Sequence, residues 1–246
     1  MIQQYFPPDI TSVLKILSKI PFENLSKAVS VHMMKEAEEA LMLNPEELLL
    51  KHQKDGTGGT CFSLTWFLLN HLQKKGYSLY PVLCDRPYGK DTHCCAVLLY
   101  GGEKFLLDPG YLAFRPILLD PNNKTTAETI YNTIEVEPYS DGKFILSTIY
   151  NGETKKRFTI KDIPVPDAEY FRCWQATFLW ESLTYPVVTL LTEDAHLYFQ
   201  KEYLYVRKKS GSERIHVPKD KQPESFAKLF GINANVTKLA LEAFGK

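Results

Sequence analysis

Three features of the 246-residue chain predict an α+β fold: a helical first third, a middle of short strand-like runs separated by turn residues, and a mixed end. Helices precede strands instead of alternating with them, which argues against a parallel βαβ array. Residues 9–19 read as an amphipathic helix, with Asp9 as N-cap and Ile10, Val13, Leu14 and Leu17 on one face. Residues 35–53 read as one or two helices, Pro45 opening the second. From Cys61 to Leu72 apolar groups fall on nearly every side of a helix that ends at Gly76, so this helix is expected to be buried.

The period then changes. Leu79–Cys84, Cys94–Tyr100, Lys104–Asp108, Ile130–Val136, Lys143–Tyr150 and Phe158–Ile160 read as strands. Residues 167–183 return to helix, with Phe171, Trp174, Phe178 and Trp180. Strands follow near Val187–Leu191, Leu197–Phe199, Leu204–Val206 and Arg214–Val217, and a helical region covers residues 223–244. There is no internal repeat or low-complexity segment.

Composition narrows the function classes. Hydrophobic residues make up 44% and charged residues 24%, the mix of a soluble globular protein. Lysine plus arginine equal aspartate plus glutamate at 29 each, which argues against a dedicated nucleic-acid binder. No apolar run approaches the ~20 residues that span a bilayer, and the first eight residues lack the pattern of a secretory signal. The five cysteines (61, 84, 94, 95 and 173) are odd in number and lack framework spacing. Disulfides are therefore not expected, and a reducing cytoplasm is the natural setting.

Cys61 closes the turn Gly56-Thr57-Gly58-Gly59-Thr60 and opens the buried helix. Glycines allow close backbone approach, and a helix start favours negative charge on sulfur. His93 follows 32 residues later and Asp108 another 15 after that. If Gly101-Gly102 forms a two-residue hairpin turn, Tyr100 pairs with Glu103 and Cys95 with Asp108. His93 then lies one diagonal step from Asp108 on the same face. A loop one residue longer would put them on opposite faces. A turn at Gly102-Glu103 would keep the face but separate them by four residues. In such a set the thiolate attacks an activated carbonyl, the imidazole moves the proton, and the carboxylate fixes the imidazole's tautomer.

Other motifs read more plainly. Cys94 and Cys95 point to opposite faces of a strand and no second Cys-x-x-Cys pair exists, so core packing is expected and no metal site. The glycine turn lacks the Gly-Lys-Ser/Thr of a phosphate loop, and Cys61 stands where a dinucleotide fingerprint needs glycine. Residues 201–222 hold seven Lys/Arg against three acids, a charge excess that fits a lysine-protected hairpin edge.

Several motifs together resemble the arylamine N-acetyltransferases. They are Pro21-Phe22-Glu23-Asn24-Leu25, Gly58-Gly59-Thr60-Cys61-Phe62, Gly76-Tyr77 through Val82 to Arg86, Thr92-His93, and Leu107-Asp108-Pro109-Gly110-Tyr111. The resemblance covers residues 1–115 and, beyond them, the overall layout. It implies a helical bundle over residues 1–78, an antiparallel β-barrel-like domain over 79–165 and an α/β lid over 166–246. Together these form a catalytic core of the cysteine-protease/transglutaminase kind. The catalytic triad maps onto Cys61, His93 and Asp108. The implied reaction is ping-pong: an acetyl group passes from acetyl-coenzyme A, as co-substrate, through the cysteine to an arylamine, arylhydrazine or N-hydroxyarylamine, without a metal. Phe22, Phe62 and Tyr111 are candidate walls of the acceptor pocket, core packing being the competing role for the first two. A transglutaminase-like hydrolase or amide synthase using another acyl donor, and a catalytically silent binding relative, remain as alternatives.

Thr57 departs from the pattern, since relatives carry arginine there, paired with the glutamate of the Phe-Glu-Asn motif. Glu23 is therefore expected to find a substitute base, such as Lys54, or to be hydrogen-bonded or protonated. Polar positions after the cysteine also change, to Ser63 and Thr65.

Overall fold

The computed structural model describes residues 5–34, 42–180 and 184–245. Seven helices of the described residues are α1 (Pro8–Leu17), α2 (Leu25–Met34), α3 (Pro45–Asp55), α4 (Cys61–Gln73), α5 (Asp167–Ala176), α6 (Gln222–Phe230) and α7 (Ala234–Ala243). The strands are β1 (Phe22–Glu23), β2 (Ser78–Arg86), β3 (Gly89–Tyr100), β4 (Glu103–Asp108), β5 (Ala113–Leu118), β6 (Thr125–Glu128), β7 (Thr133–Ser140), β8 (Lys143–Tyr150) and β9 (Glu153–Lys161). They continue with β10 (Val187–Leu191), β11 (His196–Gln200), β12 (Tyr203–Lys208) and β13 (Gly211–His216).

Eight strands form one antiparallel sheet in the order β5-β4-β3-β2-β9-β8-β7-β6. Its two edges meet, Thr125 Oγ1 on β6 donating to the Leu118 carbonyl of β5 at 2.7 Å, so the sheet is a nearly closed barrel. Leu106, Leu146 and Phe158 fill its interior. The alternate face of β3 and β4, with Ala96, Leu98, Phe105 and Leu107, packs outward on α1 and α4. Being covered on both faces explains the unbroken apolar run of β3. The second sheet, β1-β10-β11-β12-β13, packs on α6 and α7 through Val188, Phe199 and Phe226.

The α+β reading and the strand-rich middle are what the structure contains. Its departures have local causes. Asp9 does not cap α1: Pro7 occupies that position without a side-chain bond, and Pro8 opens the helix. α3 instead has a complete capping box, Asn44 accepting from the Glu47 backbone and Glu47 from Asn44. Residues 35–41 of the expected 35–53 helical region lie outside the described residues, as do 181–183 of the expected 167–183 helix. That helix ends at Ala176 and passes into a 3-10 turn over Thr177–Leu179.

The strand expected at Ile130–Val136 is displaced to Thr133–Ser140 because Thr129 and Asn132 bond each other across a turn. The terminal helical region is split at Gly231, whose φ of +70° ends α6. Three strands were not expected from periodicity: β1, β5 and β6, which are too short or too proline-bearing to show a clear alternation. α2 was not expected as a helix either. Asn24 anchors its start, donating to the Tyr185 carbonyl at 2.9 Å and accepting from Val187 N at 2.8 Å.

Candidate active site

The glycine turn is dictated by backbone crowding. A Cβ on Gly58 would stand 1.9 Å from the Pro21 carbonyl oxygen, and one on Gly56, at φ +68°, would stand 1.9 Å from that of Gly231. The turn is stitched to β1, Glu23 N donating to the Gly59 carbonyl at 3.0 Å. Cys61 is thereby held at the first turn of α4, where unpaired N–H groups favour an anion. It is 4% exposed.

His93 and Asp108 arrive by the hairpin. Tyr100 pairs with Glu103 and Ala96 with Leu107, and both turn glycines have positive φ, at 62° and 82°. Carried one residue further, this register sets Cys95 opposite Asp108 and His93 diagonal to it. His93 Nε2 lies 2.8 Å from Asp108 Oδ2, both side chains fully buried. Asp108 Oδ1 accepts from Tyr111 N at 2.9 Å, which orients the carboxylate. The other imidazole nitrogen faces Cys61 and Arg86, with Arg86 Nη2 at 3.0 Å from Nδ1.

These neighbours favour a thiolate–imidazolium pair. The neighbouring Cys94 thiol is the largest pull on Cys61, and with His93 and the Arg86 charge it overcomes burial and holds the Cys61 thiol well below its usual range. Burial is the largest single influence on His93 and opposes its charge, as does repulsion from Arg86, yet the charge and hydrogen bond of Asp108 together with Cys61 raise the imidazole to about 10. Cys94 itself is pushed well up, by burial first and by Cys61 second, so it stays protonated. Cys94 is thus a core residue, as expected, and also a partner of Cys61. The sequence carries no signal for that second role beyond its adjacency to His93.

Gly110 closes the site from the other side. A Cβ there would meet Cys61 Cβ at 2.6 Å, Cys61 Cα at 2.8 Å and His93 Cε1 at 3.2 Å. Gly110→Ala is therefore expected to wedge Cys61 and His93 apart. The kcat/KM of a reaction carried by Cys61 should fall by about 10²-fold or more while circular dichroism stays native, because a displacement of this size misaligns reacting groups.

Glu23 is completely buried and has no ion-pair partner among the described residues. It accepts from Ser26 N at 2.9 Å, Ser26 Oγ at 2.6 Å and Gly58 N at 3.1 Å. Burial outweighs these bonds and raises its pKa. Hydrogen bonding, and not Lys54, replaces the arginine that Thr57 lacks; Lys54 is exposed and Thr57 is buried. Ser63 Oγ donates to the Thr60 carbonyl at 3.0 Å, and Thr65 is fully buried.

A cavity of about 870 Å³ opens over Cys61, lined among others by Phe22, Asn24, Lys27, Phe62, Arg86 and Tyr185. Phe22 and Phe62 thus face it. Tyr111 does not line it: its ring stands edge-on behind His93 at 6.5 Å and against Phe158 at 5.4 Å. Lys27 and Arg86 are cavity residues that composition and spacing do not single out, although Arg86 lies in one of the resembling motifs. Among the described residues no cluster of His, Cys, Asp or Glu is arranged to hold a metal.

The family model described as N-acetyltransferase matches residues 11–239. No curated protein sequence matches the chain. Solved structures do. The arylamine N-acetyltransferase of M. tuberculosis shares 18% identity over 100% of this chain and 97% of its own, at a TM-score of 0.81. That of Mycobacterium marinum, solved in complex with CoA, shares 16% over 98% and 94%, at 0.78. That of Bacillus cereus, with a Cys-His-Glu catalytic triad, shares 18% over 94% and 93%, at 0.73. With its family model spanning nearly the whole chain and its fold that of these enzymes, the protein belongs to the N-acetyltransferase family.

Proposed function

We propose that the protein transfers an acetyl group from acetyl-coenzyme A, through an acyl-cysteine at Cys61, to an arylamine, arylhydrazine or N-hydroxyarylamine. The observation that carries this reading is the buried Cys61-His93-Asp108 constellation at the floor of an aromatic-walled cavity. Its volume of about 870 Å³ falls in the range of roughly 300–1,000 Å³ typical of small-molecule sites.

In this mechanism Cys61 Sγ forms a bond to the acetyl carbon, and the bond from that carbon to the donor sulfur breaks. His93, held by Asp108, delivers its proton to the departing thiolate. The acceptor nitrogen then attacks the Cys61 thioester, His93 takes up the nitrogen's proton, and Cys61 leaves again as a thiolate paired with imidazolium. The division into a bundle over 1–78, a barrel over 79–165 and a lid over 166–246 belongs to the same reading. So does a cytoplasmic setting, which the five free cysteines support. No described helix is long and apolar enough to cross a membrane.

Mixing the protein with acetyl-coenzyme A and measuring intact mass tests the reading. One acetyl group is expected, mapped by peptide digestion to Cys61. An unmodified Cys61 with acetyl-coenzyme A, but an adduct from other acyl donors, would transfer the constellation to hydrolase or amide-synthase chemistry.

A further inference from the structure

Lys27 lies on α2 and reaches the wall of the cavity that holds Cys61. It is 9% exposed, its Nζ donates to Thr177 Oγ1, and it stands 4.5 Å from the centroid of the Phe178 ring. An ammonium has three donors, of which Thr177 takes one. Among the described residues no carboxylate comes within ion-pair distance of it. A buried cation in that condition is costly unless something completes its shell.

The rest of the wall points to what completes it. Among the described residues no aspartate or glutamate lines the cavity, whereas Arg86 supplies a second cation and Phe22, Phe62 and Tyr185 supply ring faces. The site therefore suits a flat aromatic ligand that carries negative charge. Burial draws Lys27 down to about 8, while the charge on Cys61 draws it partly back. It is thus cationic at neutral pH and loses its charge just above. Coenzyme A is anionic too, but its phosphates sit at the far end of the pantetheine arm when its sulfur is at Cys61. An anion beside Cys61 belongs to the acceptor.

Resting on the acetyl-transfer reading above, we propose that Lys27 determines acceptor specificity by receiving the carboxylate of an aromatic amine that bears one. The test compares para-aminobenzoate with its uncharged analogue para-aminobenzamide, as acceptors in steady-state kinetics and as ligands in calorimetry. Wild type should prefer the carboxylate by ~10-fold or more, expressed in KM and Kd and not in kcat, since a hydrogen bond to a charged group is worth that much. Lys27→Met should bring the ratio to about one, and Lys27→Arg should restore most of it. In the wild type the preference should decline as pH rises through about 8.

An equal ratio in wild type and Lys27→Met would overturn the proposal. So would a raised KM for acetyl-coenzyme A in Lys27→Met with the acceptor ratio unchanged, which would give Lys27 to the donor. Intact mass with acetyl-coenzyme A separates the two readings. An acetylated Cys61 without a carboxylate preference defeats only the role of Lys27. A calorimetric preference without acetylation defeats only acetyl transfer. If Lys27→Met does not fold, Lys27→Arg and the wild-type pH profile decide.

Discussion

Cys61→Ala is expected to form no acetyl adduct and to lose acetyl transfer by ~10⁴-fold or more, the scale on which removal of a covalent nucleophile is felt. The reason is chemical, because no other thiol can take over. Cys94, its neighbour, is pushed well up by burial, and Cys173 is raised as well. Stability should change little, since alanine keeps the helix start and removes one small buried group. Iodoacetamide gives an independent reading. Near pH 6 wild-type Cys61 should alkylate far faster than Cys173, and Cys61→Ala should show only the slow background. Comparable labelling of Cys61 and Cys173 would refute an activated thiolate.

Asp108→Asn should cost ~10⁴-fold in kcat/KM at neutral pH, by analogy with carboxylate removal in other triads. Two effects combine. Asp108 is the main force raising His93 to about 10, so its removal lowers the imidazole pKa and returns the shared proton to sulfur. The tautomer also changes. The substituted amide can keep the bond from Tyr111 N through its oxygen, which leaves its NH₂ facing His93 Nε2. That nitrogen must then accept, the proton moves to Nδ1, and Nδ1 can no longer take a proton from Cys61.

The pH signature distinguishes this from simple unfolding. Wild-type alkylation should be nearly flat from pH 6 to 8. In Asp108→Asn it should climb with pH, because a thiol without imidazolium support ionises only as pH approaches its own pKa. A variant whose alkylation profile matches wild type would show that Asp108 does not set the ion pair.

Much of the arrangement was legible because it is local. The turn Gly101-Gly102 sets a register, and a register with period two decides which side chains share a face; His93 and Asp108 follow from that arithmetic. Helix α4 was legible from a run apolar on all sides, and the glycines before it from the backbone approach they permit. Even Glu23 was half legible, since a buried carboxylate lacking its arginine must be bonded or protonated, and it accepts three hydrogen bonds with a raised pKa.

What stayed hidden depends on distant segments. α2 has weak amphipathicity, and its start is held by Asn24 bonding residues 185 and 187 across the chain. β1 exists because β10 and the Gly59 backbone, both distant in sequence, pair with it. Tyr111 had the composition of a pocket wall, but a 3-10 turn after Asp108 directs its ring behind His93 and against Phe158.

By itself the sequence determined the α+β class, the buried helix behind Cys61 and the hairpin that brings His93 to Asp108, because each rests on spacing over a few residues. Only the tertiary structure decided what surrounds the thiol. Cys94 from β3, Arg86 from β2 and Lys27 from α2 converge there, and Lys27 meets Thr177, 150 residues away. No periodicity encodes such meetings; they arise when separately folded faces are buried against one another and each buried charge must find its partner.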